Sequence, residues 1–145
     1  MLFRSKENKV AFASPAWIKI ARCVLEDLVS EHGKEGQAFS ICESFAEAPA
    51  EIADEDGFAA WYFYLDGKSV RVGEGRVGDT DVQIQATYEL VLPVARLVYT
   101  PELLADWAKN PPDRPKDPNG SQSGDMTKAP PYLLELHNRL AKVTE

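Results

Sequence analysis

Residues 59–98 constrain the fold more than any other part of the chain. They predict two strands joined at the tight turn Asp66-Gly67, a glycine-rich connection, and a third strand over residues 81–87 that alternates apolar and polar side chains. An apolar helix over residues 88–98 follows directly. A curved antiparallel sheet that leads into such a helix can enclose a hydrophobic cavity, so this segment indicates a fold and a ligand class rather than a reaction.

Length and charge limit the classes of partner. A chain of 145 residues predicts one domain, residues 1–145, that buries a core without disulfides or a metal. The net charge of -7 argues against nucleic acid, because binding requires Lys and Arg to neutralise phosphates. No run approaches the roughly 20 apolar residues of a membrane span. The N-terminus, with mixed charges, makes a poor signal peptide. We therefore expect a cytoplasmic protein without stable membrane insertion.

The remaining segments predict helices around the sheet. Ser14-Pro15 is typical of a helix start, with Ser as N-cap and Pro at the first helical position, and Gly33 ends this helix. In a strand over residues 37–45, Glu43 shares a face with apolar side chains, and the other face carries small residues. The other predicted segments are an N-terminal arm (1–13, with a short edge strand at 10–12), a short helix ending at 109, a Pro-rich surface loop (110–131) and a C-terminal helix (132–143).

The order of these elements carries a resemblance to a known family. An amphipathic helix with an early Trp, a strand, a hairpin across Asp-Gly and a Gly-rich turn precede residues 78–89, which read Gly-Asp-Thr-Asp-Val-Gln-Ile-Gln-Ala-Thr-Tyr-Glu. Over residues 17–98 the chain resembles the sterol carrier protein type-2-like (SCP2-like) family. The resemblance implies an α+β fold with a mostly antiparallel, five-stranded sheet covered by helices. It also implies binding of fatty acids, acyl-CoA esters or sterols, without a fixed cofactor.

The C-terminal part departs from that family. Members commonly continue with a further strand after the second helix, whereas residues 99–145 predict a short helix, a Pro-rich loop and another helix. The outer wall of the cavity is therefore expected to differ from that of the family. The final helix is expected either to cover the cavity as a lid or to fill it.

Ligand-binding residues are predicted on the aromatic strand and the apolar helix. Trp61 and Phe63 face one way and Tyr62 and Tyr64 the other, so one face is core and the other contacts a ligand, a partner or a covering helix. The helix over residues 88–98 is apolar nearly all round and must be covered by the chain or in part by a ligand. With the helical positions taken from the resemblance, the predicted site is Trp61, Tyr62, Phe63, Tyr64, Leu90, Val91, Val94 and Leu97.

Catalytic, metal and cofactor sites are not predicted. His32 and His137 have no Cys, Asp or His nearby at ligand spacing, and His137 is expected on the polar side of its helix. The stretch 73–78 matches Gly-x-Gly-x-x-Gly but leads into a strand, so hairpin geometry is favoured over phosphate binding. Cys23 and Cys42 are expected to pack as core residues rather than to form a disulfide.

Three function classes stay open. The favoured class is a carrier for a hydrophobic small molecule such as a lipid, fatty acyl or sterol-like ligand. The second is a protein-interaction module, including a homodimer, with a filled cavity. The third is an enzyme in the same cavity with Glu43 as base, because burial would raise the pKa of that carboxyl into a range suited to proton transfer. The favoured alternative is a twist of the strand that would bring Glu43 to solvent.

Overall fold

The structure is a computed structural model that describes residues 9–113 and 116–145. Within these ranges one five-stranded sheet carries four α-helices. The elements in chain order are α1 (Pro15–His32), β1 (Ala38–Ala46), β2 (Ala59–Asp66), β3 (Ser69–Glu74), β4 (Val82–Thr87), α2 (Tyr88–Ala95), α3 (Pro101–Lys109), β5 (Ser121–Ser123) and α4 (Leu133–Ala141).

The sheet is mixed, with β1 at its centre. Its strand order is β3-β2-β1-β4-β5; the β1–β4 pair is parallel and the other three pairs are antiparallel. The predicted fold class, α+β with a mostly antiparallel five-stranded sheet, is therefore confirmed. The sequence did not predict the parallel β1–β4 pair.

The glycine-rich connection between β3 and β4 is a crossover, and the predicted hairpin is wrong. Because β3 lies at one edge and β4 lies beyond β1, the connection must pass over β2 and β1. Gly75 N donates to Ala60 O at 2.9 Å, and Asp81 N donates to Ser40 Oγ at 2.8 Å. The small residues of β1 on this face, including the buried Cys42, make room for the chain's own crossover.

Helix α1 begins where the sequence predicts. Ser14 Oγ accepts a hydrogen bond from Trp17 N at 3.2 Å, and Pro15 takes the first helical position. The helix packs its apolar stripe on the sheet, where Leu25 and Leu28 are fully buried. Burial of one such side chain contributes about 1.5–3 kcal/mol, so tertiary packing rather than helix propensity holds α1 in place.

The predictions for the segments outside this core need three corrections. The Pro-rich loop contains β5, which pairs with β4, and a 3₁₀ helix, Met126–Lys128. Helix α2 ends at Ala95, three residues earlier than predicted, after Pro93 in its interior. Val10 forms an isolated bridge with Thr144 rather than part of an edge strand. Most of the predicted arm, residues 1–8, lies outside the described residues.

Within the described part of the chain, no helix is both long and apolar enough to cross a membrane.

Candidate functional site

A cavity of about 360 Å³ lies between the inner face of the sheet and the helices. Its floor is built by strand alternation, and Ile41 and Phe45 on β1 alternate with side chains that point away. Its walls come from α2 and α4, and Met126 of the 3₁₀ helix, 39% exposed, lies at its rim. The lining residues are Phe12, Trp17, Ile41, Glu43, Phe45, Trp61, Phe63, Ile84, Val91, Val94, Ala95, Tyr99, Met126, Leu133, Leu136, His137 and Leu140.

An aromatic cluster forms the deep end of the cavity. The ring of Trp17 meets the rings of Phe12 and Trp61 edge-on, at centroid distances of 5.2 and 5.1 Å. Phe45 packs on Phe12 at 4.8 Å. Edge-to-face packing of this kind contributes roughly 0.5–1.5 kcal/mol per pair beyond area burial, so this end is held rigidly.

Four of the predicted site residues line the cavity. Trp61 and Phe63 contribute to its floor, and Val91 and Val94 form its α2 wall. Val94 is 44% exposed and so lies near the opening. The inner face of β2 is therefore the one that carries Trp61, a choice that the sequence left open.

The other four predicted residues do not line it. Tyr62 and Tyr64 lie on the opposite face, where Tyr64 donates to Asp79 and the Arg71 guanidinium stacks on its ring. The β3–β4 crossover, and not the cavity, lies on that face of the sheet. Leu90 and Leu97 lie outside the lining and are each 37% exposed. Ligand binding by any of the eight residues stays a prediction.

Glu43 borders the cavity. It keeps the inward direction that strand alternation predicts, directly opposite Trp61 in the β1–β2 register. Trp61 Nε1 donates to Glu43 Oε1 at 2.8 Å. Burial raises the pKa of this carboxyl above its ordinary value, and the Trp61 hydrogen bond offsets part of that rise. Glu43 is half-buried and is one of the residues that line the cavity.

His137 also lines the cavity, and its predicted position on the polar side of the helix is wrong. Its ring stacks on Tyr99 with centroids 4.0 Å apart, and Nε2 donates to Leu97 O at 2.7 Å. Burial lowers the pKa of this imidazole, and the Leu97 hydrogen bond works against that shift. The signal was present in the sequence, because His137 follows Leu133 by four residues and so shares its helix face.

Metal and disulfide chemistry find no support at the site. In the described ranges, no group of three or more His, Cys, Asp or Glu side chains is placed to hold a metal ion. Cys42 is buried and Cys23 is exposed, and both are free thiols. The prediction that both cysteines are core residues is thus wrong for Cys23, which lies on the outer side of α1.

Comparisons with known proteins give distant structural similarity. No family model matches the sequence, and no curated protein matches it. One similar solved structure is palmitated SCP2L2 from Aedes aegypti, at 16% identity and a TM-score of 0.40, over 83% of this chain and 93% of that one. Another is TT1886 from Thermus thermophilus, a conserved hypothetical protein described as a candidate sterol carrier protein. It has 14% identity and a TM-score of 0.40, over 92% of this chain and 90% of that one. Both descriptions name the family that the sequence resembles, but at these TM-scores neither structure carries an argument about this chain.

Proposed function

We propose that this protein binds and carries a hydrophobic small molecule, such as a lipid, fatty acyl or sterol-like ligand, in the cavity between the sheet and helices α2 and α4. The observation that carries the proposal is the lining, which is aromatic or aliphatic apart from a few polar groups. Small-molecule sites are typically concave and mostly apolar, with volumes of about 300–1,000 Å³. The volume of about 360 Å³ falls in the lower part of that range.

Helix α2 is the wall best suited to move when a ligand enters. Tyr88 is its one buried residue, and Pro93 removes a backbone donor from its interior. Segments with few buried apolar contacts open at a low free energy. Because Tyr88 at the start of α2 donates to Phe12 O and packs on the Phe12 ring, an outward shift of the C-terminal end of α2 would enlarge the cavity while that anchor stays in place.

The position of α4 favours the interpretation that this helix covers the cavity over the interpretation that it fills the cavity. Leu133, Leu136 and Leu140 form a wall that still leaves the cavity volume unfilled. This arrangement favours a carrier over a module with a filled cavity. The proposal extends to a cytoplasmic location, which stays a prediction from the sequence, and it requires no cofactor.

The test compares two substitutions on the same helix. Val91→Trp places an indole in the cavity, whereas Leu90→Trp adds the same side chain outside the lining. Native mass spectrometry, followed by lipid analysis after denaturation, would identify any hydrophobic molecule that copurifies. Titration with a fluorescent fatty acyl probe would then measure affinity.

We expect the wild type and Leu90→Trp to bind one probe per chain. Val91→Trp should bind at least about tenfold more weakly, a loss of about 1.4 kcal/mol. A folded wild type that carries no hydrophobic molecule and binds no acyl probe would overturn the carrier proposal.

An interaction module is the second candidate, and one observation favours it. Large apolar side chains on α2, α3 and α4 are exposed, including Leu104 (37%) and Leu134 (44%). Exposed apolar patches often mark docking sites. Light scattering over a range of protein concentrations tests the homodimer form, and a mass of one chain throughout would exclude it.

A further inference from the structure

Glu43 is an unusual member of the cavity lining. Within the described ranges, the other titratable lining groups are His137 on α4 and Tyr99 after α2, and no Lys or Arg lines the cavity. His137 Nε2 is already engaged with Leu97 O. The indole of Trp17 is engaged with Thr144 Oγ1 at 3.0 Å. Glu43 therefore brings an acid into a cavity whose described lining holds no Lys or Arg to pair with it.

The geometry leaves one oxygen of Glu43 for a ligand. Trp61 Nε1 holds Oε1 from the neighbouring strand. On its other side, Glu43 has Ile84 of β4 as its register partner, which contributes no polar atom. No group among the described residues donates to Oε2 or accepts from it. Glu43 is half-buried and lines the cavity, so this second oxygen is free to bond with a polar group that enters there.

We propose that the carboxyl group of Glu43 is the polar recognition group of the cavity and selects ligands with an apolar body and an uncharged hydrogen-bonding end, such as a hydroxyl, over ligands that end in a free carboxylate. This inference rests on the proposed carrier function and names its ligand class.

The chemistry of a buried acid gives this selectivity. A protonated carboxyl both donates and accepts, which matches a hydroxyl group. With Oε1 accepting from Trp61, the proton on Oε2 can be donated to the ligand. The direction in which burial moves the pKa of Glu43 favours this protonated form. A ligand carboxylate would instead lie beside another acid, with no Lys or Arg in the described lining, and both desolvation and repulsion disfavour that.

The test uses two ligands that differ only at the polar end. Tetradecanol and tetradecanoate compete with a fluorescent acyl probe at neutral pH, on the wild type, Glu43→Gln, Glu43→Met and Glu26→Gln. Glu26 is exposed on α1, so its change to Gln alters the net charge without touching the cavity.

We expect the wild type and Glu26→Gln to prefer tetradecanol at least about tenfold, which corresponds to about 1.4 kcal/mol. Glu43→Gln keeps a donor and an acceptor and should keep tetradecanol affinity within a few-fold. Glu43→Met should lower the alcohol-to-carboxylate affinity ratio about tenfold. A merely structural role of Glu43 would weaken both ligands together and leave that ratio unchanged.

Four results would overturn the inference. One is equal or tighter binding of tetradecanoate by the wild type, and another is an unchanged ratio in Glu43→Met; in both, the carrier proposal stands. If the folded wild type binds neither ligand nor probe, both proposals fail. If Glu43→Met does not fold, ¹³C NMR of the wild-type protein tests whether the Glu43 carboxyl group contacts the ligand. The Glu43 carboxyl resonance should shift with tetradecanol, and an unmoved resonance in the complex overturns the inference.

Discussion

Glu43 shows how one residue takes its properties from its surroundings. Strand alternation fixes its inward direction, the facing strand supplies the Trp61 hydrogen bond, and burial raises the pKa of its carboxyl. A raised pKa means that the folded protein holds this proton at pH values where the unfolded chain has released it. The folded state therefore gains from this group at low pH and loses that gain as pH rises.

Glu43→Gln should change the pH dependence of stability. The wild-type contribution is fully present below the unfolded pKa near 4.5 and is lost as pH rises through the higher folded pKa. The free energy of unfolding of Glu43→Gln, relative to the wild type, should therefore increase with pH over that window. Urea unfolding across the window measures it. His137 and Tyr99, the other titratable lining groups, are common to both proteins and largely cancel.

The control for this experiment is Glu26→Gln. Its difference from the wild type should stay flat over the same window, because Glu26 lies exposed on α1. A Glu43→Gln difference that is equally flat would mean that the carboxyl titrates as in the unfolded chain.

Among the elements, β5 depends most on its neighbour. Its sequence, Ser-Gln-Ser, has no apolar signal, and its residues are all exposed. Pairing with β4 forms it, and Asp117 anchors the chain just before it by accepting from Thr87 N at 2.7 Å. Gly124 follows with φ +96°, and a Cβ there would overlap the carbonyl oxygen of Asp81.

Gly124→Ala should release β5 from the sheet. A non-glycine residue at this φ costs about 1–3 kcal/mol, and the overlap with Asp81 adds to that strain. We expect a lower free energy of unfolding and faster amide exchange along β5. Gly78→Ala is the matched control, since a Cβ at Gly78 meets nothing within 4 Å. Equal exchange in both variants would refute this account of β5.

At the scale of the whole molecule, the two ends of the described chain close the cavity together. Val10 N donates to Val143 O at 2.9 Å, and Glu145 N donates to Val10 O at 2.8 Å. Trp17 Nε1 donates to the buried Thr144, and Tyr88 OH donates to Phe12 O at 2.7 Å. These bonds join α1, α2 and the segment after α4 around the aromatic cluster.

Thr144→Val should destabilise the whole fold. It leaves the Trp17 indole without its acceptor in a buried site, and a buried unpaired donor costs about 1–3 kcal/mol. Thr144→Ser keeps the hydroxyl and removes one methyl group, so it should lose less. Denaturant unfolding of both variants compares them, and a Val variant as stable as the Ser variant would show that this hydrogen bond contributes little.

The sequence by itself determined the local features. The Ser14-Pro15 start of α1 and the turn at Asp66-Gly67 were predicted correctly. Strand alternation also placed Glu43 on the apolar face of its strand, although a twist that would bring it to solvent was the favoured expectation. Each follows from capping chemistry, turn preference or strand alternation, which act between residues close in the chain. Alternation also separates Trp61 and Phe63, which line the cavity, from Tyr62 and Tyr64, which do not, but it did not decide which pair faces inward.

Only the tertiary structure decided the features that depend on distant neighbours. The side of β1 on which β4 pairs, and hence the crossover at Gly75, is fixed by contacts between segments far apart in sequence. Distant contacts also determine β5, which forms by pairing with the edge of β4, and the position of His137, whose ring stacks on Tyr99. Such contacts leave no local pattern, because their free energy arises only when the chain has already brought the partners together.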